Sequence, residues 1–170
     1  MKIFLIGMMA SGKSSVGKEL SKYIELPYLD TDEMIIQSEK KSIKNIFKKK
    51  GEKYFRHIES ESLKKIKNDG IISCGGGIVL TEENRKYLIN NGHTFYLKSS
   101  ISTLEKRIVN NIDIKRPLID YGSIKKSLKA IYKKREAFYL ECAEDTIITD
   151  NKSLIEICKN IKNKLKIEKV

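Results

Sequence analysis

The sequence predicts an α/β protein with five strands alternating with helices, in a single domain over residues 1–170. Three observations predict it. Short apolar runs alternate with stretches of helical periodicity, the order expected of repeated βαβ units. The first apolar run opens directly into Gly7-Met8-Met9-Ala10-Ser11-Gly12-Lys13-Ser14, which satisfies G-x-x-x-x-G-K-[ST]. And 170 residues suit one core with small inserts at most.

Lys2-Ile3-Phe4-Leu5-Ile6 reads as a buried first strand, and Val16, Leu20 and Tyr23 or Ile24 are spaced for one face of the helix that follows the glycine loop. Strand, loop and helix together are the setting a phosphate-binding loop requires. Gly7 and Gly12 let the backbone curl so that successive N–H groups point inward as an anion cradle. The helix start adds its own unpaired N–H groups and the positive end of its dipole. Lys13 is placed to reach the β- and γ-phosphates, and the Ser14 hydroxyl to ligate Mg²⁺. The stretch therefore predicts a nucleoside triphosphate site.

Composition narrows the rest. Hydrophobic residues make up 40% and charged residues 33%, ordinary for a globular protein. No run approaches the ~18 apolar residues of a membrane span. The N-terminal IFLIGMMA resembles a leader superficially, but it flows into the phosphate loop, and cleavage would destroy the best motif in the chain. Cys74, Cys142 and Cys158 show no C-x-x-C spacing, so neither a disulfide framework nor a zinc site is indicated, and a cytoplasmic protein with reduced thiols is expected. The net charge of +12 comes mostly from scattered lysine, without alternating aromatics or a nucleic-acid module, and reads as solvated surface. Neither nucleic acid nor membrane is an expected partner, and a monomer is the expected state. The chain has only five arginines: Arg56, Arg85, Arg107, Arg116 and Arg135. Where lysine supplies generic positive charge, arginine is to be expected where a planar two-pronged donor is needed.

Tyr28-Leu29 leads into Asp30-Thr31-Asp32 as a short second strand ending in two carboxylates. Ligands of parallel sheets sit beyond the carboxyl ends of strands, so one acid would join a Mg²⁺ shell and the other meet a substrate hydroxyl. The competing reading is a helix cap at Thr31 or Asp32. Residues 34–68 are helical in pattern, interrupted near Lys50-Gly51, and Arg56 and Glu59 are i,i+3 neighbours on the second half. They form either a surface pair or an arginine oriented toward an anion, and spacing alone leaves both open. Gly70 is read as the end of that helix, with Ile71-Ile72-Ser73-Cys74 as a buried third strand running into Gly75-Gly76-Gly77. Three glycines cost conformational entropy, which predicts close approach to that backbone.

Thr81 is placed to cap the next helix, on which Arg85 reads as surface, and His93 to Leu97 is the fourth strand. His93 and His57 read as structural. After a helix over about 102–109, the stretch from Asn110 to Leu118 lacks helical periodicity and reads as a lid over the nucleotide, carrying Arg116 toward the moving phosphoryl group. On the following helix Ile124, Leu128, Ile131, Arg135, Phe138 and Cys142 fall on one stripe, so Arg135 faces inward. A buried guanidinium needs a partner, either a substrate anion or a buried carboxylate. Thr146 to Thr149 is the fifth strand, and Leu154, Cys158, Ile161 and Leu165 are predicted to pack the last helix inward.

Taken together, the motifs resemble those of the shikimate kinase family over nearly the whole chain. The phosphate loop with Ser14-Ser15, the D-T-D of Asp30 to Asp32, G-E-x-x-F-R-x-x-E as Gly51 to Glu59, and G-G-G as Gly75 to Gly77 stand in the family's order. Arg116-Pro117-Leu118 follows as its R-P-L and Arg135 with Tyr139 as its R-x-x-x-Y. The resemblance implies a P-loop kinase fold, three-layer α/β/α with a central five-stranded parallel sheet, with a small substrate-binding helical region at about 33–61 and a lid at about 110–123. It implies ATP and Mg²⁺ as cofactors, and transfer of the γ-phosphoryl group to the 3-hydroxyl of shikimate in aromatic amino-acid biosynthesis. By that likeness Asp32 holds the accepting hydroxyl, and Arg56 and Arg135 clamp the substrate carboxylate, with Gly76 and Gly77 against the ring. Ser14 and Asp30 serve Mg²⁺, and Lys13 and Arg116 stabilise the transferring group. Gly7, Gly12, Ser15, Arg107 and Asn151 contact the nucleotide, the last two near the adenine. A gluconate-type kinase would continue its second-strand acid motif with histidine and proline, whereas Glu33-Met34 follows here.

Overall fold

The computed structural model describes residues 1–111 and 116–165. Strands β1 (Lys2–Ile6), β2 (Tyr28–Asp30), β3 (Gly70–Ser73), β4 (His93–Lys98) and β5 (Asp145–Ile148) form one parallel sheet in the order β2-β3-β1-β4-β5. Among the described residues seven α-helices surround it: α1 (Lys13–Ile24), α2 (Thr31–Glu39), α3 (Ile43–Lys64), α4 (Glu82–Asn91), α5 (Ile101–Val109), α6 (Ile124–Cys142) and α7 (Leu154–Lys164).

Central β1 shows why its run is apolar throughout. A parallel strand covered on both faces has no wet side. Ile3 and Leu5 pack with Val16 and Leu20 of α1 and Ile157, Cys158 and Ile161 of α7. Phe4 and Ile6 point the other way, into a cluster with Leu63, Leu88, Leu128 and Tyr139 from α3, α4 and α6. The three-layer architecture implied by the resemblance is therefore present. A third, smaller cluster of Ile35, Ile46 and Phe55 joins α2 to α3 away from the sheet. No helix among the described residues is long and apolar enough to cross a membrane.

Several local expectations are corrected. Gly70 opens β3 rather than ending a helix; its φ of 159° is extended backbone, and a Cβ there would meet Pro27 O at 2.7 Å. Asp30, not Thr31 or Asp32, caps α2, its Oδ1 accepting from Asp32 N at 2.9 Å and Glu33 N at 3.4 Å. Asp32 consequently sits in the first turn of a helix and not on a strand end. Arg85 is not a free surface residue: it donates to Val79 O at 3.0 Å and Glu141 at 2.9 Å, and lies over the Phe138 ring. On α7 it is Ile157 that packs inward, while Leu154 is exposed. Part of the predicted lid, residues 112–115, lies outside the described residues.

Candidate active site

The carboxyl ends of β1, β2 and β3 open onto two adjoining cavities, of about 460 and 420 Å³. Lys13, Ser14 and Arg116 line both.

The first cavity lies on the phosphate loop. Gly7 at φ 144° and Gly12 at φ 96° adopt dihedral angles that side chains disfavour, and a Cβ on Gly7 would meet Leu97 O at 2.6 Å. Lys13 Nζ donates to Gly7 O and Met8 O, both at 2.9 Å, so the lysine is held by the loop it belongs to. Burial pushes its pKa down to about 8, against the opposing pull of Asp32 and Asp30. Ser14 Oγ donates to Asp30 Oδ2 at 2.9 Å, and Tyr28 OH donates to the same oxygen at 3.0 Å. One carboxylate thus caps α2 with Oδ1 and faces the phosphate loop with Oδ2. Arg107 reaches under the loop, its Nη1 donating to Ala10 O at 3.2 Å and Ser11 O at 3.1 Å, with Ser99 and Thr149 also in reach. Ser15 lines this cavity, as do Arg107, Lys152, Leu154 and Ile157. Asn151 does not line it; it sits beside Lys152 with a left-handed φ of 55°.

The second cavity gathers residues far apart in sequence: Asp32, Arg56, Glu59, the glycine triad and Arg135. The glycines are where the crowding is. A Cβ on Gly75 would stand 2.6 Å from Glu59 Oε1 and 2.9 Å from Asp32 Oδ1, and one on Gly77 would overlap the Arg56 guanidinium. The predicted close approach to this backbone is therefore present, and the approaching groups are charged. Gly75 N donates to Thr31 Oγ1 at 2.9 Å, and Gly76 O accepts from Arg135 Nη1 at 3.0 Å and Tyr139 OH at 2.5 Å.

The two arginines differ in kind. Arg56 is paired, donating to Glu59 Oε2 at 2.7 Å and to Glu52 Oε1 at 3.1 and 3.3 Å. Since Glu59 is fully buried, the surface-pair alternative is excluded. Arg135 is 5% exposed and forms no ion pair among the described residues; its bond is to a carbonyl. Nearby, Asp32 Oδ1 and Glu59 Oε1 are buried without a hydrogen-bond partner. Burial, reinforced by Asp30, raises Asp32 to about 6 although Lys13 and Arg56 oppose it. Burial likewise raises Glu59 to about 7 against the pull of Arg56. A cavity with unspent acceptors on one side and an unspent cation on the other is built for a ligand carrying both hydroxyls and a carboxylate.

Sequence reasoning gave no task to Glu52 or Tyr139 beyond their place in a motif, and offered Thr31 only as a helix cap. The i,i+4 spacing of Glu52 and Arg56 was a usable signal. Nothing local announces that Thr31 and Tyr139 bind the glycine backbone.

Residues 9–166 match the family model described as shikimate kinase. The chain belongs to the shikimate kinase family. Curated shikimate kinases of Dictyoglomus turgidum and Clostridium botulinum (strain Okra / Type B1) are 41% and 43% identical to it, with 95% of this chain and 95% of the relative covered in the first case and 94% and 95% in the second. A solved shikimate kinase from Acinetobacter baumannii, in complex with shikimate, superposes with a TM-score of 0.91 at 28% identity, covering 98% of this chain and 95% of its own. A deoxyadenosine kinase from M. mycoides shares the fold alone, with a TM-score of 0.61 at 20% identity over 97% and 98% of the two chains. The protein is a kinase of P-loop fold.

Proposed function

We propose that this kinase transfers the γ-phosphoryl group of ATP to the 3-hydroxyl of shikimate, giving shikimate 3-phosphate and ADP, within aromatic amino-acid biosynthesis. The observation that carries the reading is Arg135: buried, cationic, and without an ion pair among the described residues, beside a second arginine in a cavity continuous with the phosphate loop. A substrate carboxylate supplies the missing charge, and paired guanidinium groups suit its geometry better than lysine would.

Phosphoryl transfer asks the protein mainly for positioning and charge stabilisation. Asp32, with Oδ1 unpartnered, accepts the hydrogen bond of the attacking hydroxyl and takes its proton as the new P–O bond forms. Gly76 and Gly77 let the ring lie against backbone. Lys13 leaves the loop carbonyls for the phosphates when nucleotide enters, and Arg116, lining both cavities, faces the group in transit. Gly7, Gly12 and Ser15 shape the loop around the polyphosphate, with Arg107 behind it and the turn of Asn151 and Lys152, of which Lys152 lines the cavity, on the side of the base. Ser14 Oγ and Asp30 Oδ2, 2.9 Å apart, are hard oxygen donors of the kind Mg²⁺ takes and would hold the ion there. When bound, the ion would neutralise charge on the β- and γ-phosphates.

The deciding experiment is ADP release from ATP and Mg²⁺ with shikimate, gluconate and nucleoside monophosphates offered separately. Turnover with shikimate alone is expected. Turnover with another acceptor in its place would leave the kinase standing and overturn the substrate.

A further inference from the structure

Glu52 belongs to a motif whose other charged members, Arg56 and Glu59, line the acceptor cavity, yet it does not line that cavity itself. Its Oε1 spans two donors of Arg56, Nε at 3.3 Å and Nη2 at 3.1 Å. Glu59 holds Nη1 from the buried side at 2.7 Å. A guanidinium has five N–H groups. Three are engaged in this way, which leaves one on each terminal nitrogen for a ligand.

Exposure separates the two carboxylates. The Glu59 side chain is 1% exposed and the Glu52 side chain 51% exposed, with Arg56 between them at 13%. Arg56 is thus held between an inner and an outer acid, with Gly77 directly against it. The chain makes a special arrangement to put Glu52 there. Gly51, at φ 79° and ψ 172°, breaks α3 and lets it restart at Glu52, one turn before Arg56. A Cβ on Gly51 would meet nothing within 4 Å, so the glycine serves its dihedral angles and not a close contact.

We propose that Glu52 is a positioning residue for the carboxylate clamp. It holds the Arg56 guanidinium from the solvent side, so that the two remaining N–H groups face the cavity in one orientation before substrate arrives. A long side chain fixed in advance loses less freedom on binding, and the benefit falls on substrate affinity instead of on the chemical step. The proposal rests on the shikimate reading above.

The test is steady-state ADP release with shikimate varied at saturating ATP, for wild type, Glu52→Ala, Glu52→Gln and Glu61→Ala. Glu61 pairs with Lys64 on the surface of the same helix and serves as the matched control. Glu52→Ala is expected to raise KM for shikimate roughly three- to tenfold, with kcat within about twofold and KM for ATP unchanged. Glu52→Gln keeps an acceptor oxygen and should fall between it and wild type, whereas Glu61→Ala should match wild type. An unchanged KM in Glu52→Ala would overturn the proposal. So would a lowered one, which would make Glu52 a competitor of the substrate. Equal losses in kcat and in KM for ATP would also overturn it, as damage to the fold. If the wild type phosphorylates some other acid and not shikimate, the acceptor assignment fails, and this result is separable from a shikimate-active enzyme indifferent to Glu52.

Discussion

The two cavities are built in opposite ways. On the nucleotide side the buried charges have local partners, although Ser11 Oγ in the loop is buried without one: Lys13 is bonded to its own loop, Asp30 accepts from Ser14 and Tyr28, and Arg107 donates to the loop carbonyls. On the acceptor side Arg135 has a carbonyl only, and Asp32 and Glu59 each keep a buried oxygen with no partner. A loop whose charges are held locally survives without its ligand; a cavity that leaves buried charges unpaired is stabilised by one. The difference teaches that specificity is held where polarity has been left unpaired, since a buried group in want of a partner penalises every ligand that fails to supply it.

Substitutions on the two sides should therefore fail differently. Arg135→Ala is expected to cost about 2–5 kcal/mol of shikimate affinity, leaving ATP affinity intact, as read from the two KM values. A loss under tenfold would remove Arg135 from the clamp. Lys13→Ala is expected to lower kcat roughly a hundred- to a thousandfold, the scale for one preorganised charge at the transition state, with shikimate binding by calorimetry unchanged. Should shikimate binding vanish as well, the two cavities would not be separable. Gly75→Ala forces a methyl between the carboxylates of Glu59 and Asp32, and overpacking of this kind typically costs about 1–3 kcal/mol in thermal or denaturant unfolding. A melting curve like that of wild type would mean that the triad gives way freely.

The smallest effect is in pH. Asp32, raised to about 6, must be ionised to accept a proton, so kcat/KM for shikimate should fall as pH drops through about 6. Lys13, lowered to about 8, loses its charge as pH rises through about 8, giving the opposite limb. A profile flat from pH 5 to 9 would dissociate both groups from the rate.

The same contrast explains what was legible in the sequence. The phosphate loop lies on contiguous residues whose spacing is its geometry, so Gly7 to Ser14 could be read directly. Arg135 was legible as inward because a helix repeats, but whether an anion or an acid met it depended on the opposite wall. The Asp32, Glu59 and Gly75 cluster joins three elements, and burial that deep is a property of packing that no local pattern carries. Asp30 was read as a strand-end acid when it is also the cap, because a short strand passing straight into a helix has no loop to mark the change.

The glycine triad has one more consequence. Thr31 of α2 binds Gly75, Arg135 and Tyr139 of α6 bind Gly76, and Arg56 of α3 lies on Gly77. Three successive residues each serve a different helix, so the turn has no spare register. Lengthening it by a single residue would hand each helix its neighbour's position, and this is where the chain should tolerate change in length least.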